Sequence, residues 1–190
     1  GADLDTISYA ITIEELSRVC AAIGLCVTVH NSVGAYPIVR FGTEEQKKRF
    51  LPSLAGGDHI GAFCLTEANA GSDAGGISAT ARADGDSWVV NANKVFVTNG
   101  GIADICLIFA RTDPQAGNRG ISVVIAERGI AGFVVGDLED LCGVRANPVT
   151  SIRLYDCVLP GDNLLGKTGQ GLKIGLAALH TGRIAIAAQA

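Results

Sequence analysis

Between residues 60 and 159 the chain alternates short apolar runs with clusters of Gly, Asp, Asn and Pro, and helix-patterned stretches flank this region on both sides. No other feature constrains the fold as tightly, because apolar runs of strand length between turn signals cannot pack as long amphipathic helices. Residues 78–83, the turn Asp84-Gly85-Asp86 and Trp88-Val89-Val90 read as an antiparallel hairpin. Asn91-Ala92-Asn93 reads as a second turn ahead of residues 95–98, and Asn99-Gly100-Gly101 as a third. Residues 105–110 and 121–125 read as buried strands, and residues 151–159 as the last strand, stopped by Pro160-Gly161-Asp162.

The first sixty residues carry the helical signals. Thr12-Ile13-Glu14-Glu15 fits a capping box, followed by an apolar-rich segment through Leu16, Val19, Ile23 and Val27. Thr43-Glu44-Glu45-Gln46 fits a second box, with Lys47, Lys48 and Arg49 next, an order that suits the helix dipole and reads as a solvated face. Phe50, Leu51 and Leu54 form its apolar side, and Pro52 and Gly56-Gly57 place its end nearby. Residues 172–190 return to a helical pattern rich in Ala, Ile and Leu, which needs partners on most of its surface. That pattern meets no terminator and the sequence holds no methionine, so the 190 residues read as a piece of a longer protein.

Composition excludes several function classes. With 48% apolar against 18% charged residues, a sizeable core is within reach. A net charge of −4 without a Lys/Arg stripe argues against nucleic acid as a main partner. No N-terminal stretch resembles a signal peptide, and no apolar run approaches the ~20 residues that span a bilayer, so no membrane insertion is expected. The six cysteines (Cys20, Cys26, Cys64, Cys106, Cys142, Cys157) lack C-x-x-C spacing. They are expected to be reduced core cysteines in a reducing compartment, with no metal site.

One stretch asks for chemistry. Leu65-Thr66-Glu67-Ala68-Asn69-Ala70-Gly71-Ser72-Asp73 follows the apolar run Gly61-Ala62-Phe63-Cys64 and precedes Gly75-Gly76. It is no nucleophile elbow, since Ala70 stands where G-x-S-x-G needs its first glycine, and no phosphate-loop or dinucleotide fingerprint opens a helix here. Two readings stand: a plain turn, with Asn69 and Ser72 as turn formers, or a loop of small residues that approaches phosphate oxygens or a planar heterocycle. Residues 95–101 pose the same choice between a hairpin and a strand end that presents Thr98 to a ligand.

Taken together, the segments resemble the acyl-CoA dehydrogenase family. Residues 63–73 resemble its aromatic-C-x-[TS]-E-P-x-A-G-S-D signature, with Ala68 in place of Pro, and residues 94–101 resemble K-x-[WF]-I-T-N-[GA]. Residues 143–148 and 156–166 are similar to G-x-R-x-S-x-T followed by V-P-x-x-N-x-L-G, with Val149 and Ser151 departing from the pattern. Gly169-Gln170-Gly171-Leu172-Lys173 and Gly182-Arg183-Ile184 resemble the start of the family's C-terminal domain. Phe96 and Thr181-Gly182-Arg183-Ile184 are closest in flavour to short-chain, butyryl-CoA-type members.

The resemblance implies an α+β multidomain fold: N-terminal helices (1–59), a middle antiparallel β domain (60–160), and a linker with the first helix of a C-terminal four-helix bundle (161–190). It implies FAD in the cleft between β domain and bundle, held by Phe63, Leu65, Thr66, Gly71, Ser72, Phe96, Val97 and Thr98. Ser72, His180 and Arg183 would hold the acyl-CoA, with His180 standing where short-chain members commonly carry Asp. The implied reaction is α,β-dehydrogenation of an acyl-CoA thioester to the 2-enoyl-CoA. Electrons would pass to an electron-transfer flavoprotein, from a homotetramer in a bacterial cytoplasm or a mitochondrial matrix. The family's base, a Glu, is expected beyond Ala190, and the alternative base position is Gly182, so no catalytic residue is assigned here. A flavin- or CoA-thioester-binding homologue without the base, an enoyl-CoA reductase and an acyl-CoA oxidase remain alternatives.

Overall fold

In the computed structural model, which describes residues 5–190, the chain opens with helix α1 (Thr6–Val19). Asp5 caps it, its side chain accepting from the Ser8 N–H at 2.8 Å. The expected start at Thr12 is therefore wrong: Thr12 lies inside α1, where its hydroxyl donates back to the Ser8 carbonyl at 2.8 Å. Cys20, in extended conformation, ends α1 and starts α2 (Ala21–Val29). The segment continues through a π-helical stretch (His30–Ala35) into α3 (Tyr36–Phe41). Residues Ala21–Phe41 thus form one helix long and apolar enough, by length and composition, to cross a membrane, at mean hydropathy 1.3. Here it contacts β1 and α5 instead, with Ala22, Val33 and Ile38 buried.

Helix α4 (Glu44–Gly56) starts as expected: Thr43 and Gln46 exchange side-chain-to-backbone bonds in a capping box, and Gly57 closes the helix at φ +82°. Pro52 lies within it. Its basic run is only partly solvated, because Arg49 pairs with Glu127 and donates to Asn163 Oδ1 at 3.1 Å.

The middle of the chain builds one eight-stranded sheet. Its strands are β1 (Gly61–Cys64), β2 (Thr80–Asp84), β3 (Ser87–Val97), β4 (Ile105–Arg111), β5 (Ile121–Glu127), β6 (Phe133–Leu138), β7 (Thr150–Pro160) and β8 (Leu164–Leu165). The order is β6-β7-β3-β2-β4-β5-β8, with β1 joining β4 in parallel and most other pairs antiparallel. The turn expected at Asn91-Ala92-Asn93 is absent. Strand β3 runs through it and pairs with β7, with register shifts between Val90 and Ala92 and between Lys94 and Val97. Strand β6, which the sequence reading passed over, pairs with β7.

Period-two alternation divides the core. Ile105, Leu107 and Phe109 of β4 join Ile121, Val123 and Ile125 of β5 against Ile38, Phe50, Leu54 and Ile174 from the helices. Cys106, Ile108 and Ala110 face the other way, with Val90, Val124, Ile152 and Leu159. Both strands are buried on both faces, which is why they read as continuous apolar runs. Helix α5 (Gly171–Gln189) packs on α1, α2, α3 and β5. Its small residues permit close approach: a Cβ on Gly175 would lie 3.0 Å from the Phe109 ring. The cysteines are free; Cys64, Cys106 and Cys157 are buried, Cys20 and Cys26 half-buried, and Cys142 exposed.

Candidate functional site

The end of β1 and the end of β3 meet. The Val95 N–H donates to the Thr66 carbonyl at 3.0 Å, which fixes the loop after β1 beside the bulge in β3. Two carbonyl–amide bonds between Glu67 and Ala70 (3.1 and 3.0 Å) then fold residues 67–70 into a tight turn. Phe63 packs its ring against Phe109 in a tilted arrangement, with centroids 4.6 Å apart and planes at 58°, and Leu65 is buried among the helix-facing residues.

Beneath this loop lies a buried ion pair. Lys94 is 0% exposed and Glu67 6%. The Lys94 ammonium donates to Glu67 Oε1 at 2.7 Å and to the Leu65 carbonyl at 3.1 Å. Glu67 also accepts from the Ser78 N–H and hydroxyl, both at 2.6 Å, and from the Ala79 N–H at 3.0 Å. Burial alone would raise the Glu67 pKa, but the Lys94 and Ser78 bonds outweigh it and hold it at about 2. Burial lowers that of Lys94, against the opposing pull of Glu67. Five bonds thus tie residues 65–67 to β3 and to Ser78-Ala79. Glu67 is spent on structure.

A second polar knot lies under the β3 end. Asn99, fully buried at φ +65°, donates from Nδ2 to the Cys26 carbonyl (3.1 Å) and the Gly61 carbonyl (3.4 Å). Its Oδ1 accepts from Asn147 Nδ2 at 2.8 Å, and its N–H donates to Asn147 Oδ1 at 3.2 Å. Helix α2, strand β1 and the loop before β7 are thereby pinned to the residue following Thr98. His30 adds a third tie: Nε2–H donates to the Leu54 carbonyl (3.0 Å), and Nδ1 accepts from the Gly61 N–H (3.1 Å). Those partners fix the neutral tautomer, and burial lowers its pKa.

Above these anchors the surface is open. Phe96 sits in the left-handed region at φ +54°, uncommon for a bulky residue, and is 64% exposed. Val97 is buried opposite Thr150, and Thr98 is half-buried. Gly71 and Ser72 are exposed. Among the described residues, no protein group bonds the hydroxyls of Thr66, Ser72 or Thr98, or accepts from the Thr66 N–H. At Gly75 a Cβ would meet the Asn118 side chain, and at Gly76 it would lie 2.9 Å from the Asp73 carboxylate, so a substitution at either would move a polar side-chain end. Gly71 is different: a Cβ there meets nothing within 4 Å. The protein has no internal use for a glycine at that position.

The structure therefore brings Phe63, Leu65, Thr66, Phe96, Val97 and Thr98 to one region. His180 and Arg183 are exposed on α5, and no hydrogen bond links them to the loop. Gly182 between them is buried, and a Cβ there would lie 3.2 Å from Ser32 Oγ, a contact that a small shift of that hydroxyl relieves. Among the described residues no cluster of His, Cys, Asp and Glu could hold a metal ion. A groove of about 650 Å³ lies between α2, α3 and α4, lined by His30, Tyr36, Val39, Leu51 and Leu54, and shares His30 with the anchors below the β3 end.

Residues 62–157 match the family model of the acyl-CoA dehydrogenase middle domain, and residues 1–58 that of the acyl-CoA dehydrogenase N-terminal domain. The chain belongs to the acyl-CoA dehydrogenase family. A short-chain specific acyl-CoA dehydrogenase of Clostridium acetobutylicum is 46% identical over all 190 residues, which cover 50% of that protein. A chain in a structure described as the electron transferring flavoprotein of Acidaminococcus fermentans superposes with TM-score 0.98 at 44% identity, over 100% of this chain and 50% of that one. An acyl-CoA dehydrogenase complexed with FAD from Bacillus anthracis superposes at 0.93 with 35% identity, over 100% of this chain and 32% of that one. This acyl-CoA dehydrogenase family chain thus spans about half the length of the curated relatives it matches.

Sequence reasoning passed over Asn99, Asn147, Ser78 and His30 as parts of this region, and took Lys94 only as a motif letter. A buried lysine in mid-strand was the available signal, since an unpaired ammonium does not survive burial.

Proposed function

We propose that the protein carrying this chain is a FAD-dependent short-chain acyl-CoA dehydrogenase, converting an acyl-CoA thioester to the 2-enoyl-CoA. The observation that carries it is the open wall formed by the β1 loop and the β3 bulge. It holds an aromatic in a strained conformation, a glycine that faces empty space, and unpartnered hydroxyls, all on buried polar anchors. This donor set fits a flavin, which needs a flat approach and hydrogen-bond donors at the ring edge.

In this reading Phe63, Leu65, Thr66, Gly71, Ser72, Phe96, Val97 and Thr98 hold FAD. When bound, FAD accepts the hydride from the β carbon of the thioester. Thr66 and Thr98 offer hydroxyls to the ring edge, and Thr66 its free N–H. Phe96 covers the wall against water. Ser72, His180 and Arg183 hold the acyl-CoA. The α-proton base is supplied from outside these residues: no Asp or Glu occurs between Asp162 and Ala190, and the alternative position is Gly182. Residues 1–59 belong to an N-terminal helical domain, 60–160 to the β domain, and 161–190 to a linker and the first helix of a C-terminal helical domain. The working form is a homotetramer in a bacterial cytoplasm or a mitochondrial matrix, and it passes electrons to an electron-transferring flavoprotein.

The test is an anaerobic titration of the intact protein with butyryl-CoA and longer acyl-CoAs, followed at the flavin absorbance. Bleaching by the short substrate supports the reading. A protein that binds FAD but is bleached by no acyl-CoA refutes the reaction, and one that takes up no FAD refutes the site.

A further inference from the structure

The buried ion pair has a geometry that plain scaffolding does not require. The Glu67 carboxylate gathers bonds from Ser78, Ala79 and Lys94 that help shape the loop. Lys94 makes one more, to the carbonyl of Leu65 at 3.1 Å. That carbonyl belongs to the same peptide unit as the Thr66 N–H, for which no protein acceptor is present among the described residues. An ammonium on a carbonyl oxygen draws electron density through the amide and makes its N–H a stronger donor, and in a water-poor interior hydrogen bonds in series reinforce one another.

We infer that Lys94 is a positioning residue that acts through the Leu65–Thr66 peptide to strengthen the Thr66 N–H as a donor to the flavin ring, raising the reduction potential of bound FAD. This rests on the placement of FAD proposed above. A donor aimed where negative charge accumulates on reduction binds the reduced form more tightly than the oxidised form. A bond that only orders the loop strengthens both forms equally and leaves the potential unchanged. The two roles are therefore separable by measurement.

The experiment compares the intact protein with the double variant K94M/E67Q. Met preserves the length of the buried lysine stem, and Gln keeps one acceptor oxygen for the two Ser78 bonds, giving up the Ala79 bond, without leaving an unpaired charge. The readouts are the midpoint potential of bound FAD, by spectroelectrochemistry, and the dissociation constant of oxidised FAD. A tenfold loss of preference for reduced flavin is expected, a fall of about 30 mV for a two-electron couple, with oxidised FAD still bound. Should that variant fail to fold, K94Q/E67Q, which keeps a neutral N–H toward Leu65, is read the same way, with a fall in potential expected. A variant that binds FAD at an unchanged potential overturns the inference and leaves the pair as scaffolding. Failure of the unsubstituted protein to bind FAD overturns the site itself, a different result.

Discussion

Replacing Asn99 tests whether the β3 end is held from below. Asn99→Ala removes the donors to the Cys26 and Gly61 carbonyls and leaves buried Asn147 without its partner at 2.8 Å. Orphaning such groups costs about 1–3 kcal/mol. The backbone at φ +65° adds about 1–2 kcal/mol once the side chain is an alanine. The expected loss is about 3–4 kcal/mol. Asn99→Gly loses the same bonds but relaxes the left-handed backbone, partly offset by the freedom glycine has in the unfolded chain. It should be about 1 kcal/mol less damaging than the alanine. Urea unfolding of the intact protein gives both values from midpoints at constant slope. FAD affinity should fall in the same order, since Thr98 precedes the lost anchor. If Asn99→Ala costs less than about 1 kcal/mol, or is as stable as the glycine variant, the knot is not what holds this strand end.

Three further outcomes follow from the same geometry. Gly71→Ala should leave stability unchanged or raise it by up to about 1 kcal/mol, because its Cβ meets nothing, yet weaken FAD or acyl-CoA binding about tenfold, a loss of about 1.4 kcal/mol; unchanged binding by calorimetry would place the ligand elsewhere. Gly34→Ala should destabilise by about 1–3 kcal/mol, since the new Cβ would lie 3.1 Å from the Gly61 backbone; a neutral melting curve would show that the helix and strand can part. Glu67 should make the fold acid-sensitive. Its folded pKa of about 2 lies below the ordinary 4.5, so its contribution is present above pH 4.5 and is lost as pH falls towards 2. The shift corresponds to about 3 kcal/mol, and Glu67→Gln should flatten that part of the stability–pH profile measured by urea unfolding.

The alternation of strand-length runs and turns was enough to read the order of helices, sheet and final helix, and the Thr43–Gln46 capping box placed α4. Other features were hidden for specific reasons. The capping pattern at Thr12 was a decoy, because its hydroxyl is satisfied just as well by the carbonyl of Ser8 within a helix that Asp5 had already started. Cys20 accepts from Ile23 and Gly24 while donating to Leu16, so the apolar stripe crosses a helix break without interruption. Asn91 looked like a turn former, but its side chain bonds across to Asp156 on β7, which lets polar residues occupy a continuous strand. Strand β6 is a half-buried edge with an internal glycine, a weak pattern on any reading. At the candidate site, the signatures located the loop, but the Glu67–Lys94 pair spans 27 residues and the Asn99–Asn147 pair 48, separations that only the folded sheet closes.

In the proposed function, the β1 loop and the β3 bulge form one wall of a flavin site. A crystal structure of the intact protein with FAD tests it most directly. The isoalloxazine edge should lie within about 3 Å of Thr66 and Thr98, with Phe96 covered. FAD seated instead in the groove between α2, α3 and α4, or touching neither threonine, would contradict it.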